Sequence, residues 1–285
     1  MKIGKHTLGK GHPTFIIAEL SANHKHDFDI AAKTVRAAKE AGADAIKLQT
    51  YTADTITLDS DKKYFQVQQG TIWDGRTLHE LYQEAHTPWE WQPKLKALAE
   101  EIGLACFSSP FDPTAVDFLE EMNVPAYKIA SFEIHDLPLI SYTASKGKPI
   151  IISTGIAESG DIQAAVQACR KVGNDQIILL KCTSSYPAPV EEANLFTIPN
   201  LRETFGTLAG LSDHTMELAV PITAVALGAC VIEKHFILDR EIGGPDASFS
   251  LTPEQFKAMV QGVRAAEKAL GKVTYELSGK SKRSR

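Results

Sequence analysis

Eight short β-branched runs alternate with longer stretches whose apolar residues recur every three or four positions. That alternation restricts the chain to a parallel sheet covered by helices. Strands are predicted at 14–20 (TFIIAEL), 45–49 (AIKLQ), 105–109 (ACFSS), 126–130 (AYKIA), 149–154 (PIIIST), 177–182 (IILLKC), 208–212 (LAGLS) and 230–236 (CVIEKHF). Helical patterns fill the gaps, among them 29–42, 113–123 and 159–173, and several segments stop at a glycine (Gly42, Gly103, Gly173, Gly228) suited to a left-handed cap. Eight strand–helix units in about 250 residues predict an α/β fold, a closed (β/α)8 TIM barrel. The rival, an open doubly wound sheet, normally carries a glycine-rich turn after its first strand. Here that strand runs into Glu19-Leu20-Ser21-Ala22-Asn23 instead. Residues 1–12 are expected to form a hairpin closing the barrel bottom. Residues 1–275 make the barrel domain, and 276–285, with four basic residues in the last six, a tail or the start of a linker.

A parallel barrel presents its chemistry at the C-terminal ends of its strands. Four of the apolar runs end on a lysine there: Lys47, Lys128, Lys181 and Lys234. A buried lysine is costly without an anion beside it, so four in corresponding places suggest one shared anionic ligand; snorkelling at a strand terminus is the plain alternative. The other strand ends supply Glu19, Ser21 and Asn23; Gln49; Ser108 and Ser109; Ser131 and Glu133; Ser153 and Thr154; Thr183 and Ser184; Ser212, Asp213 and His214; Glu233 and His235. Hydroxyl and amide donors beside ammonium groups suit an anion with several oxygens. Neighbours on a strand face opposite sides. Lys47 and Gln49 therefore reach the mouth together, whereas Lys234 and His235 cannot; His235 is assigned inward and Lys234 left open, as is Lys181 beside Cys182. Two histidines without cysteine, His214 and His235, suggest an open first-row metal site completed by water or substrate.

One connection is too long for an ordinary βα loop. Residues 50–87 follow the second strand and should fold over the mouth, where Trp73, Trp89 and Trp91 would offer apolar surface.

Bulk properties narrow the partners. A formal charge of −5 gives no reason to expect nucleic acid or an anionic membrane. No apolar run approaches the ~20 residues of a membrane span, and the N-terminus lacks a secretory pattern, which makes cytoplasm the expected location. The four cysteines form no C-x-x-C pair and are read as reduced and structural.

The segments FIIAELSANH (15–24), AGADAIKLQTY (41–51), FSSPFD (107–112), PAYKIASFE (125–133), GKPIIISTG (147–155), LLKCTSSYPAP (179–189), GLSDHT (210–215), EKHF (233–236) and GGPDASFSL (243–251) resemble, in order, the sialic acid synthase family, whose members condense phosphoenolpyruvate with an amino sugar. The resemblance covers about residues 14 to 270, and QTYTADTITLD, TPWEWQ and GGPDASFSL look most like its pseudaminic acid synthase branch. It implies that Lys47, Ser109, Lys128, Ser131, Ser153, Ser184 and Ser212 contact phosphoenolpyruvate. It makes His214 and His235 ligands of a divalent metal, usually Mn2+, with Co2+ or Mg2+ as alternatives. Glu19 would lie near the reacting carbons, and Glu133 and Asp246 on the sugar side. Asn23, Gln49, Lys181 and Tyr186, in the same motifs, are expected to line the substrate site. Some members carry asparagine in place of Ser184. The implied partners are phosphoenolpyruvate, an amino-sugar aldehyde and a second copy in a homodimer. The family normally continues into a small antifreeze-like domain, whereas this sequence stops at SGKSKRSR. Other nonulosonate or spore-coat polysaccharide synthases, a Schiff-base aldolase using Lys128 or Lys181, and a non-catalytic sugar-phosphate binder are the competing readings.

Overall fold

The computed structural model describes residues 1–68, 73–277 and 279–284. Strands β1 (Lys2–Ile3) and β2 (His6–Thr7) pair as the N-terminal hairpin, with Ile3 and Leu8 buried beneath the barrel. The barrel strands are β3 (Phe15–Glu19), β4 (Ala45–Thr50), β5 (Ala105–Pro110), β6 (Tyr127–Ile129), β7 (Ile150–Ser153), β8 (Ile177–Cys182), β9 (Leu208–Asp213) and β10 (Val231–His235). They close in the order β10-β3-β4-β5-β6-β7-β8-β9, with every pairing parallel. The eight predicted strands are all present, within two residues at either end.

Helix α1 (Phe28–Glu40) begins at Asp27, whose carboxylate accepts the Asp29 and Ile30 N–H groups, and ends before Gly42, whose φ is 95°. Further along lie α2 (Ala53–Ile56), α3 (Leu78–Ala85), α4 (Gln92–Glu101), α5 (Pro113–Glu121), α6 (Leu137–Ala144), α7 (Ser159–Lys171), α8 (Thr197–Phe205), α9 (Ala219–Ala226), α10 (Pro253–Leu270) and α11 (Gly279–Arg283). The long connection after β4 thus holds α2 and α3; its residues 69–72 lie outside the described residues. Among the described residues no helix is long and apolar enough to cross a membrane.

Alternation along the strands produces two chemically different halves of the lumen. Inward positions near the strand starts are apolar: Phe15 and Ile17, Ala45, Phe107, Ile151, Ile178 and Leu180, and Val231 pack as one buried cluster with the hairpin. Two residues further up, the same faces carry Glu19, Lys47, Ser109, Ser153, Cys182, Ser212 and Glu233. Gly210 is required lower down, because a Cβ there would collide with the Val231 carbonyl and Leu180. The outward faces bury Ile16, Ile46, Ile129, Ile152, Leu179, Leu211 and Ile232 against the helices. The apolar plug supports the polar half from below, so the mouth groups are held by a packed core.

Candidate active site

Four charged side chains form the floor of the mouth. Lys47 Nζ is ion-paired with Glu19 and lies 3.5 Å from Glu233, which is itself 3.8 Å from Lys128 Nζ. Parallel register explains the grouping: Glu19 is level with Lys47 on one side and His235 on the other, and Glu233 is level with Ser212. The Ser212 hydroxyl donates to Glu233 at 3.0 Å, the Gln49 amide to Glu19 at 3.2 Å, and Lys47 reaches Ser109 Oγ at 3.4 Å. All four charges are buried. Burial lifts Glu19 to about 7 against the pull of Lys47. Burial also opposes ionisation of Glu233, but Lys128 and Lys47 outweigh it and hold that carboxyl below its ordinary value. Lys128 is pushed down by burial, with Glu233 working against the shift. Near neutrality the floor thus holds two ammonium groups, one firm carboxylate and one carboxyl on the edge of protonation. That leaves a positive surplus for an anion.

Beside the floor, hydroxyl groups gather around Gly155. Its N–H donates to Ser131 Oγ at 3.1 Å, and a Cβ there would collide with the Ser184 and Ser131 hydroxyls, so only glycine permits the approach. Ser153 Oγ is buried with no hydrogen-bond partner among the described residues. An unpaired hydroxyl beside buried ammonium groups is a donor awaiting a ligand oxygen.

His214 and His235 stand across the mouth with ring centroids 5.3 Å apart. The Thr183 carbonyl lies 2.9 Å from His214 Nδ1, which assigns the proton to that nitrogen and leaves Nε2 as a lone-pair donor. Burial, His214 and the nearby lysines hold His235 well below its ordinary pKa, so it is a neutral imidazole, and its Nδ1 is buried without a hydrogen-bond partner. Asp246 Oδ2 lies 3.9 Å from that nitrogen and accepts hydrogen bonds from the Ser21 hydroxyl and the Ala22 N–H. Among the described residues no group of three or more His, Cys, Asp or Glu has metal-binding geometry. Burial opposes charging of His214, but Cys182, the Thr183 carbonyl and Asp213 together raise its pKa. The two buried imidazoles, one of them neutral, do fit the open two-ligand site expected from the sequence, with water or substrate completing it.

An aromatic cover closes over the pair. The Tyr186 ring centroid is 4.5 Å from His214, Phe249 is 5.0 Å from both Tyr186 and His235, and Trp73 of the long connection is 6.4 Å from Tyr186. Glu133 sits at the rim on the turn Ser131–His135; one of its oxygens is buried without a hydrogen-bond partner, and burial lifts its pKa to about 7.

Several expectations are corrected. The four lysines do not converge: Lys181 and Lys234 point to the outer face. Lys234 is ion-paired with Asp213 and donates to the Thr215 carbonyl. Lys181 donates to its own strand, at Cys182 O (2.8 Å) and Thr183 Oγ1 (3.3 Å), because the inward position falls to Cys182. Asn23 is fully buried and its amide donates to Phe236 O and Ser250 Oγ, so it braces two loops, while its Oδ1 is buried without a hydrogen-bond partner among the described residues. Trp89 packs on Phe118, and Trp91 packs on His24 and Phe28, so of the three tryptophans only Trp73 reaches the mouth. Cys182 faces the mouth 3.7 Å from His214 Nδ1. Glu233 was gathered from the sequence as a strand-end residue but given no role, although it lies two positions before His235 on one face. Cys182, read as structural, and Phe249, inside a motif but with no residue-level signal of its own, also belong to the mouth.

A parallel barrel with an anion floor beside a histidine pair is the architecture of an enzyme that joins a phosphorylated or carboxylated acid to a second small molecule. The model of the NeuB family matches residues 34–275, and the chain belongs to this family, the sialic acid synthases that its motifs resemble. It is 50% identical over 259 residues to the pseudaminic acid synthase of Helicobacter pylori (91% of this chain, 76% of the relative). It is 47% identical over 285 residues to that of Campylobacter jejuni (100% and 82%). Among solved structures, the N-acetylneuraminic acid synthetase of Leptospira borgpetersenii in complex with citrate superposes with a TM-score of 0.88 at 30% identity, covering 100% of this chain and 94% of that one.

Proposed function

We propose that the chain condenses phosphoenolpyruvate with 2,4-diacetamido-2,4,6-trideoxy-L-altrose to give pseudaminic acid and phosphate, with cleavage of the C–O bond. The observation that carries this reading is the buried Glu19–Lys47–Glu233–Lys128 floor set beside two buried histidines; the likeness to pseudaminic acid synthases supports the choice of sugar. His214 and His235 would hold a divalent cation, Mn2+ before Co2+ or Mg2+, which supplies Lewis-acid polarisation of the aldehyde oxygen. Lys47 and Lys128 bind the phosphate and carboxylate, with Ser109, Ser131, Ser153, Ser184 and Ser212 donating to their oxygens. C3 of the enol attacks the aldehyde carbon and positive charge develops at C2. Glu19, whose pKa near 7 suits proton exchange at neutral pH, and the Glu233 carboxylate both lie among the anion-binding lysines, where they can stabilise that charge. Water adds at C2 and the tetrahedral intermediate expels phosphate. Asp246 and Glu133 accept sugar hydroxyls at the rim. We read the working assembly as a homodimer and its location as the cytoplasm.

The test uses phosphoenolpyruvate labelled with 18O at the bridging position. Label recovered in inorganic phosphate supports C–O cleavage; label kept in the keto acid overturns the mechanism.

A further inference from the structure

The aromatic cover has a consequence for which group the sugar must carry beside its aldehyde. Around the histidine pair, the space is divided by chemistry. On one side lie the Glu19–Lys47–Glu233–Lys128 floor and the serine hydroxyls, which take an anion. Next to His235 lies Asp246, an acceptor for a hydroxyl. The remaining side is apolar and rigid: Tyr186, Phe249 and Trp73, with Phe249 only 2% exposed and its ring centroid 5.0 Å from both His235 and Tyr186. Phe249 is held by backbone as well as packing, since it closes the 3-10 turn Ala247–Phe249 whose flanking Ser250 hydroxyl donates to the Asp246 carbonyl at 2.7 Å and accepts from Asn23.

An aldehyde held at the two imidazoles therefore meets this wall first with the substituent on the adjacent carbon, C2; the far end of a six-carbon chain lies several bonds away. We infer that Phe249, backed by Tyr186, is the residue that sets the size and polarity of the C2 acylamido group: the wall accepts an N-acetyl methyl and excludes longer acyl chains. The inference rests on the reading of His214 and His235 as the aldehyde end of the site. An acetyl methyl gains apolar contact from three rings, and an extra methylene must displace a buried phenyl ring packed against Tyr186, His235 and Trp73. Discrimination of about tenfold to about two-hundredfold per methylene is the range such a pocket can deliver.

The experiment compares 2-N-acetyl and 2-N-propanoyl forms of the 2,4-diacetamido sugar in wild type, Phe249→Ala and the milder Phe249→Leu. Two readouts are taken: kcat/KM with phosphoenolpyruvate, and Kd of the corresponding reduced alditols by tryptophan fluorescence. The expected result is that wild type prefers N-acetyl by about tenfold or more in both, and that Phe249→Ala gains on the N-propanoyl form while Phe249→Leu falls between. A gain of activity or binding cannot come from misfolding. An unchanged acyl preference in both folded variants, or equal binding of the two alditols by wild type, overturns the inference. Wild type that binds the alditols with the expected preference yet condenses neither sugar overturns the proposed reaction and leaves the wall standing.

Discussion

Replacing Glu233 with glutamine should destabilise the free protein while improving its hold on phosphate. The side chain is buried, accepts a hydrogen bond from Ser212 at 3.0 Å, and lies 3.5 Å from Lys47 and 3.8 Å from Lys128. At an effective dielectric of about 20 each attraction is worth about 4–5 kcal/mol before desolvation is charged against it. Glutamine keeps the Ser212 bond and the shape but removes the charge. Glu19 can ionise to compensate Lys47, its own pair partner, whereas Lys128 has no other carboxylate within ion-pairing distance among the described residues. Stranding one buried ammonium puts the cost at about 3–5 kcal/mol, a fall in Tm on the order of 10 °C for a chain of this size. The same stranded charge should welcome an anion, so inorganic phosphate or phosphoenolpyruvate should raise the Tm of Glu233→Gln by more than that of wild type. Calorimetry with and without phosphate measures both effects. A loss below about 1 kcal/mol, or a phosphate-induced shift no larger than in wild type, would refute the picture of Glu233 as the carboxylate that balances the lysines.

Lys47→Ala and Lys128→Ala should raise KM for phosphoenolpyruvate strongly with metal content unchanged. Lys181→Ala should leave KM near wild type, because its ammonium is spent on Cys182 O and Thr183. Lys234→Met should cost about 3–5 kcal/mol of stability by leaving Asp213 buried without its ion-pair partner, yet not change KM in whatever protein stays folded. His214→Ala or His235→Ala should abolish stoichiometric Mn2+ binding, measured by elemental analysis after gel filtration; retention of the metal in both would remove the pair as its ligands. Burial depresses the fully buried His24 to about 4, with His26 and His86 adding repulsion. Its folded pKa is below the unfolded value, so stability is lost as pH falls from about 6.5 towards 4, by about 3 kcal/mol at the end of that window. Urea titrations at pH 7 and pH 4.5 of wild type and His24→Gln test this, and an equal acid loss in both would exclude His24 as the cause.

The alternation of eight β-branched runs with helical spacings was enough to specify a closed parallel barrel, because each run is too short to be a buried helix and each needs a helix to cover its outer face. The mouth was legible in outline for the same reason: strand ends in such a barrel converge, so Glu19, Lys47, Lys128, Ser212, His214 and His235 could be gathered from sequence order alone. Period-two alternation even decided that His235 and not Lys234 enters the lumen, and the structure agrees. What sequence could not decide is which polar side chains at a strand end spend themselves locally. Lys181 sits where the same rule could have placed it on either face, and the inward position went to Cys182, whose neighbours in the register are lumen residues. Glu233 was one strand-end residue among many, with no partner assigned; only the closing of β10 onto β3 and β9 sets it between two lysines from strands far away in sequence. Asn23 read as a ligand-facing amide; the last βα loop folds back and takes both its protons, leaving only its oxygen unpaired among the described residues. Phe249 became part of the site through that same loop. Local periodicity determines which way a side chain points from its own strand, a short-range property of the backbone. What it meets there, and whether its charge is already matched, depends on loops and strands as far as 227 residues away, and packing alone decides that.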